Sequence, residues 1–133
     1  MGTRSVTTII DNGTKLLKLY RQFDGYPTGH GAELAQFLSG FTIVNGLTGN
    51  EQLLQVANGA GGLAAQLVGH FKKAPGDFYI VPVGIDDHDQ DFDYIVEVTE
   101  EGAIEVRVNN GNALFKGSVA QFADWCKSDH YDE

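Results

Sequence analysis

DYIVEVTEEGAIEVRVNNGNALFK, residues 93–116, decides the fold. Tyr94, Val96 and Val98 fall on one face and Ile95, Glu97 and Thr99 on the other. Glu100-Glu101-Gly102 turns the chain, and Ile104, Val106 and Val108 resume the apolar face over 103–108. Asn109-Asn110-Gly111-Asn112 turns it again, into a short last strand at Ala113–Lys116. Alternation of period two, broken by turn residues, reads as hairpin-linked strands with one buried face.

The same signals recur towards both ends. VTTII (6–10) is a β-branched strand and Asp11-Asn12-Gly13 a hairpin turn; KLLKLYRQF (15–23) reads as the partner strand. In that strand Leu17, Leu19 and Phe23 share a face with Arg21, and Lys18, Tyr20 and Gln22 take the other. A buried arginine needs a carboxylate, carbonyls or an anion, so Arg21 stands out. FYIVPVG (78–84) is a further strand, and Pro82 marks an edge or bulge. Leu34, Phe37, Leu38 and Phe41 predict a helix over 31–41, residues 50–57 a short one, and Leu63, Leu67, Val68 and Phe71 another over 62–72. Ser118 to Gln121 is a capping-box pattern that opens a final helix carrying Val119, Phe122, Trp125 and Cys126. The order ββ–ααα–ββββ–α predicts an α+β domain over 1–133. Its antiparallel sheet has about six strands, with helices mainly on one face and a frayed tail at 129–133.

Composition bounds the function. The 133 residues suit one domain with a real core. The net charge of −9 opposes general nucleic-acid binding, because phosphates would be repelled. Eight of the 18 acids lie in 86–101, which has no Lys or Arg; such a segment suits a basic partner or simple solubility. The single Cys126 excludes an internal disulfide and fits a reducing compartment. No apolar run reaches membrane-helix length and no signal peptide opens the chain, so a cytoplasmic location is expected.

The richest chemistry lies in YRQFDGYPTGHG (20–31), between the second strand and the first helix. Gly29-His30-Gly31 opens the helix, where free N–H groups suit an anion. Arg21 is a bidentate anchor, His30 a donor or base, Tyr20 or Tyr26 a stacking face, and Asp24 an orienting group. The bland alternative is turn chemistry, with His30 solvated and Arg21 paired to Asp24. The alternate acids of Asp87–Asp93 resemble ligands for a hard cation. The EF-hand pattern fails, however, at Phe92 and Val98, and a solvated loop is favoured. NGAGG (58–62) lacks the Lys-Ser/Thr of a phosphate loop. No nucleophile motif or zinc spacing is present, and no cofactor is expected.

Met1-Gly2-Thr3-Arg4-Ser5, followed by a hairpin and Phe23-Asp24-Gly25-Tyr26-Pro27, resembles small proteins of tailed bacteriophages and prophages that open MGTRS and carry a W/F-D-G-Y motif. The likeness spans roughly the N-terminal half and implies a viral or mobile-element origin without a set activity. Its recurring polar positions would be Thr3, Arg4, Ser5, Asp24, Gly25 and Tyr26, which implies that the start of the first strand lies beside the 20–31 loop. Pairing across Asn12-Gly13 brings residues near 4 opposite residues near 21.

Three functions follow as expectations. The leading one is a non-catalytic accessory protein that holds an anionic small molecule, such as a nucleotide signal of host defence. Its pocket is formed by Arg4, Ser5, Arg21, Asp24, Tyr26 and His30, with Arg4 and Arg21 flanking it. The second is an inhibitor that docks the acidic 86–101 segment on a basic host protein. The third is a metal-assisted hydrolase uniting His30, Asp24 and the aspartate run. The oligomeric state stays open, with Ile95 a candidate for a dimer edge.

Overall fold

Asn12 and Gly13 both adopt positive φ (43° and 94°), as a two-residue hairpin turn with the twist of its strands requires. They join β1 (Ser5–Asp11) to β2 (Thr14–Arg21) in antiparallel register, with Ser5 opposite Arg21 and Thr7 opposite Leu19. The structure is a computed structural model that describes residues 2–49 and 55–128. After β2, a single π-helical turn (Pro27–Gly31) leads into α1 (Ala32–Leu38). The short strands β3 (Thr42–Val44) and β4 (Val56–Asn58) pair in parallel, and α2 (Gly59–Phe71) follows. Strands β5 (Phe78–Val81), β6 (Phe92–Val98), β7 (Ile104–Asn109) and β8 (Ala113–Ser118) precede α3 (Val119–Cys126).

The fold is α+β, with a six-stranded sheet in the order β5-β2-β1-β6-β7-β8. The sheet is mixed and not purely antiparallel, because β1 and β6 run parallel with Ser5 opposite Phe92 and Ile9 opposite Val96. The reason is topological. β5 adds outside β2, and the chain then crosses to the far side of β1, entering β6 in the direction of β1. Such a crossover is what parallel strands require. β1 therefore becomes the centre of the sheet, buried on both faces from Ser5 to Ile10.

The helices cover one face. Leu34, Leu38, Leu63, Leu67 and Phe122, all at most 1% exposed, pack with Ile9, Leu19, Tyr94, Val96, Val106 and Val108 into one core. Each buried leucine contributes roughly 2 kcal/mol. α3 begins as its pattern predicts: Ser118 Oγ accepts from the Gln121 N–H, and Gln121 Oε1 accepts from the Ser118 N–H.

Other expectations need correction. The helix predicted over 50–57 is absent where it can be judged, since Val56–Asn58 form β4; residues 50–54 lie outside the described part, as does the 129–133 tail. The helix predicted over 62–72 begins earlier, at Gly59, so NGAGG supplies its cap and first turn. α1 stops at Leu38, where Ser39 turns extended and Gly40 takes φ 81°. The 78–84 strand ends at Val81, and residues 82–91 form a strap over the sheet face opposite the helices.

Candidate functional site

Arg21 ends β2 on the helix-facing side and is 7% exposed. The loop behind it is sewn to the start of β1. The Gly25 N–H donates to Thr3 O (2.8 Å), the His30 N–H to Asp24 O (2.7 Å), and Tyr94 Oη to Gly25 O (2.7 Å). A Cβ on Gly25 would stand 2.8 Å from the Arg4 carbonyl carbon and 2.9 Å from Ser5 N, so only glycine permits this approach. The W/F-D-G-Y segment thus rests on residues 3–5, as the hairpin pairing predicts.

This packing builds a buried polar line. Thr7 Oγ1 lies 2.7 Å from His30 Nε2, Arg21 Nη1 lies 3.2 Å from His30 Nδ1, and Arg21 Nη1 donates to Glu33 Oε1 at 2.8 Å. A guanidinium only donates, so Nδ1 accepts and the neutral ring donates from Nε2 to Thr7. The His30 ring sits among Phe71, Phe78 and Tyr94, with centroids 5.2, 6.4 and 5.1 Å away. Burial first, and the Arg21 charge second, push its pKa down to about 3. The Arg21 guanidinium lies 5.0 Å over Phe78, and its Nε is 3.9 Å from Asp77 Oδ2, beyond hydrogen-bond reach.

The expected site residues divide. Ser5, Arg21 and His30 converge, at 0%, 7% and 1% exposure, and fill space instead of lining a pocket. Asp24 and Tyr26 stand at the rim, with Tyr26 Oη 3.3 Å from Asp24 Oδ1. Arg4 turns to the opposite face, where Nη1 meets Asp89 at 3.3 Å, so the two arginines do not flank one pocket. Tyr20 takes that face too and donates to Gln22. Glu33 is the close carboxylate of Arg21 and Asp77 the more distant one, in place of Asp24, and His30 is buried, not solvated. Thr7, Glu33 and Asp77 were not foreseen. Glu33 follows His30 by three residues across the helix start, a spacing that could have found it. Asp77 is remote in the chain and carries no signal.

The strap makes a second constellation. Lys18 Nζ donates to Ile85 O (2.7 Å) and Asp86 Oδ1 (3.2 Å), and Lys15 Nζ reaches the same oxygen at 3.4 Å. These hydrogen bonds, Lys18's first, hold Asp86 below the usual carboxylate range. The Asp91 carboxylate accepts from the Arg4 N–H, and the Asp91 and Phe92 N–H groups donate to Arg4 O. The acids of 86–101 do not form one face: Asp86–Asp91 belong to the strap and Glu100-Glu101 to the turn beyond the other end of β6. Nor do His30, Asp24 and the aspartate run meet, since His30 is on the helix side of the sheet. Among the described residues no group of three His, Cys, Asp or Glu is placed to hold a metal ion. Burial drives the Cys126 thiol up to about 12, so it is unreactive at neutral pH.

The β5 edge is guarded. The Phe78 N–H donates to Gly76 O, Lys72 Nζ donates to Phe78 O, and Pro82, two residues beyond Ile80, has no N–H. Side chains beside it are open: Tyr79, Ile80, Val83 and Ile85 are 50%, 57%, 36% and 51% exposed. No described helix is long and apolar enough to cross a membrane. No protein-family model, curated protein or solved structure matches the chain.

Proposed function

We propose that this is a non-catalytic accessory binding protein of phage or mobile-element origin that docks on a basic host protein through the strap and β5. The observation that carries the reading is the make-up of that surface. Exposed Asp86, Asp87, Asp89 and Asp91 lie in one strap with exposed Val83 and Ile85, and exposed Tyr79 takes the same sheet face on β5, whereas Ile80 takes the other. An apolar patch edged by charge is the anatomy of a protein interface. The acids would steer a basic partner and the apolar side chains hold it. The guarded backbone of β5 favours side-chain docking over strand addition.

The anionic-ligand reading at Arg21 is weaker. Its guanidinium already pairs with Glu33, with Asp77 nearby, so a phosphate would have to displace a carboxylate from a site with two acids.

The test is affinity capture from bacterial lysate with the full chain, Asp87→Lys and Ile85→Ser. A partner held at low salt, released as salt rises and lost by both variants is the expected result. Retention of the same partner by both variants would remove the strap from the interface. A nucleotide that stabilises the chain, with the effect lost in Arg21→Ala, would move the function to the Arg21 cluster.

A further inference from the structure

The sheet face opposite the helices holds a cleft of about 180 Å³ lined by Thr8, Ile10, Lys15, Lys18, Asp86, Asp93, Ile95 and Asn109. It is distinct from the Arg21 cluster and lies on the inner side of the strap, with which it shares Asp86. Ile10 and Ile95 supply its apolar surface. Thr8, 5% exposed, and Asn109 add a hydroxyl and an amide to the lining.

Its charges are unevenly matched. Lys15 and Lys18 share one carboxylate, Asp86, leaving an excess of positive charge at that wall. Lys18 is itself 5% exposed and uses donors on Ile85 O and Asp86, so a third N–H remains. The Asp93 carboxylate has a neutral partner, accepting from Gln90 Nε2 at 2.9 Å. Burial pushes its pKa up, against the pull of the Gln90 hydrogen bond and the Lys18 charge. The cleft is therefore a dipole, positive at Lys15 and Lys18 and negative at Asp93, above an apolar floor.

We propose that this cleft binds a free α-amino acid, with the ligand's ammonium on Asp93 and its carboxylate on Lys15. A zwitterion complements a dipole of charges where a simple anion or cation would satisfy one wall and repel the other. The volume lies below the range of drug-sized pockets and suits a molecule of this size. Thr8 and Asn109 would offer hydrogen bonds to the ligand's polar end, and Ile10 and Ile95 would take an aliphatic side chain.

The test is an NMR titration of the isotope-labelled full chain with glycine, serine, valine and leucine. Isobutylamine and isovalerate, which are valine without its carboxylate and without its amine, serve as controls. Saturable shifts at Thr8, Asp93, Ile95 and Asn109 with an amino acid, and affinity weaker by about tenfold or more for both controls, are expected. Asp93→Asn and Lys15→Gln should each weaken binding by at least a similar factor while keeping the native spectrum. Lys15 is exposed, which protects the second variant from a folding defect. No saturable shift with any amino acid would overturn the proposal, as would isobutylamine binding as well as valine, or full affinity in both variants. None of these outcomes bears on the strap's capture of a protein, so the two readings fail separately.

Discussion

Arg21 donates a guanidinium N–H to His30 Nδ1 across 3.2 Å, and burial first, with this permanent cation second, holds the histidine in its neutral form. This makes the fold acid-sensitive in a defined window. The folded pKa of His30 is about 3 against an ordinary 6.5, so above pH 6.5 the ring is neutral folded or unfolded and its titration adds nothing. As pH falls below that value the unfolded chain takes up a proton the folded chain refuses, and stability drops until the pH nears the folded value. The loss at pH 5 relative to pH 7 should be about 2 kcal/mol from this residue. Urea unfolding across that range checks the loss. The His30 ring signals should not titrate above pH 4, and a midpoint near 6 would refute the assignment.

Arg21→Met keeps much of the bulk against Phe78 but removes the donor to His30 and the partner of Glu33. The Glu33 side chain is half exposed and can be hydrated, so the cost should be about 2 kcal/mol and not that of a fully buried pair. Because the Arg21 charge is one cause of the depressed His30 pKa, that pKa should rise in the variant. A His30 titration that does not move, in a folded variant, would show that burial alone sets it.

The register that joins these residues was legible in the sequence, and so was its limit. Asn12-Gly13 placed residues near 4 opposite residues near 21, where the structure pairs Ser5 with Arg21, and the alternation of β2 put Arg21 on the apolar face. The same alternation sends Arg4 to the other face, where Asp89 meets it, so a pocket flanked by both arginines was already at odds with strand parity. The parallel β1–β6 pair was not legible, because each strand's pattern reports its faces and not its neighbours. β4, at three residues, is too short for any period to show. Lys18 reads as a solvent-facing residue of a one-sided sheet, and only the crossover buries it.

Ser5 Oγ is buried without a hydrogen-bond partner, in a side chain wedged beneath Gly25. A desolvated hydroxyl with no partner is a cost. Ser5→Ala keeps the Cβ and removes that cost, so it should stabilise the fold by about 1 kcal/mol, read as a shift of the denaturant midpoint with an unchanged slope. A destabilised variant would mean that the hydroxyl has a bonded partner in solution.

Lys18→Met should separate the strap from the sheet without unfolding the protein. Methionine fills the space of the lysine stem against β1 but removes the Lys18 donor, leaving Ile85 O to His88 of the strap itself and Asp86 to Lys15. Asp86 is exposed and keeps Lys15 as a neighbour, so no buried charge is stranded, and global stability should change by less than about 1 kcal/mol. Local opening should increase instead. Amide exchange at residues 85–88 should quicken by about tenfold, while amides of the helix-side core keep their protection. Asp86 should also titrate nearer the ordinary carboxylate range, because its largest cause of depression, the Lys18 hydrogen bond, is gone. Unchanged exchange over 85–88 would show that Arg4, through Asp89 and Asp91, and Lys15, through Asp86, hold the strap without Lys18.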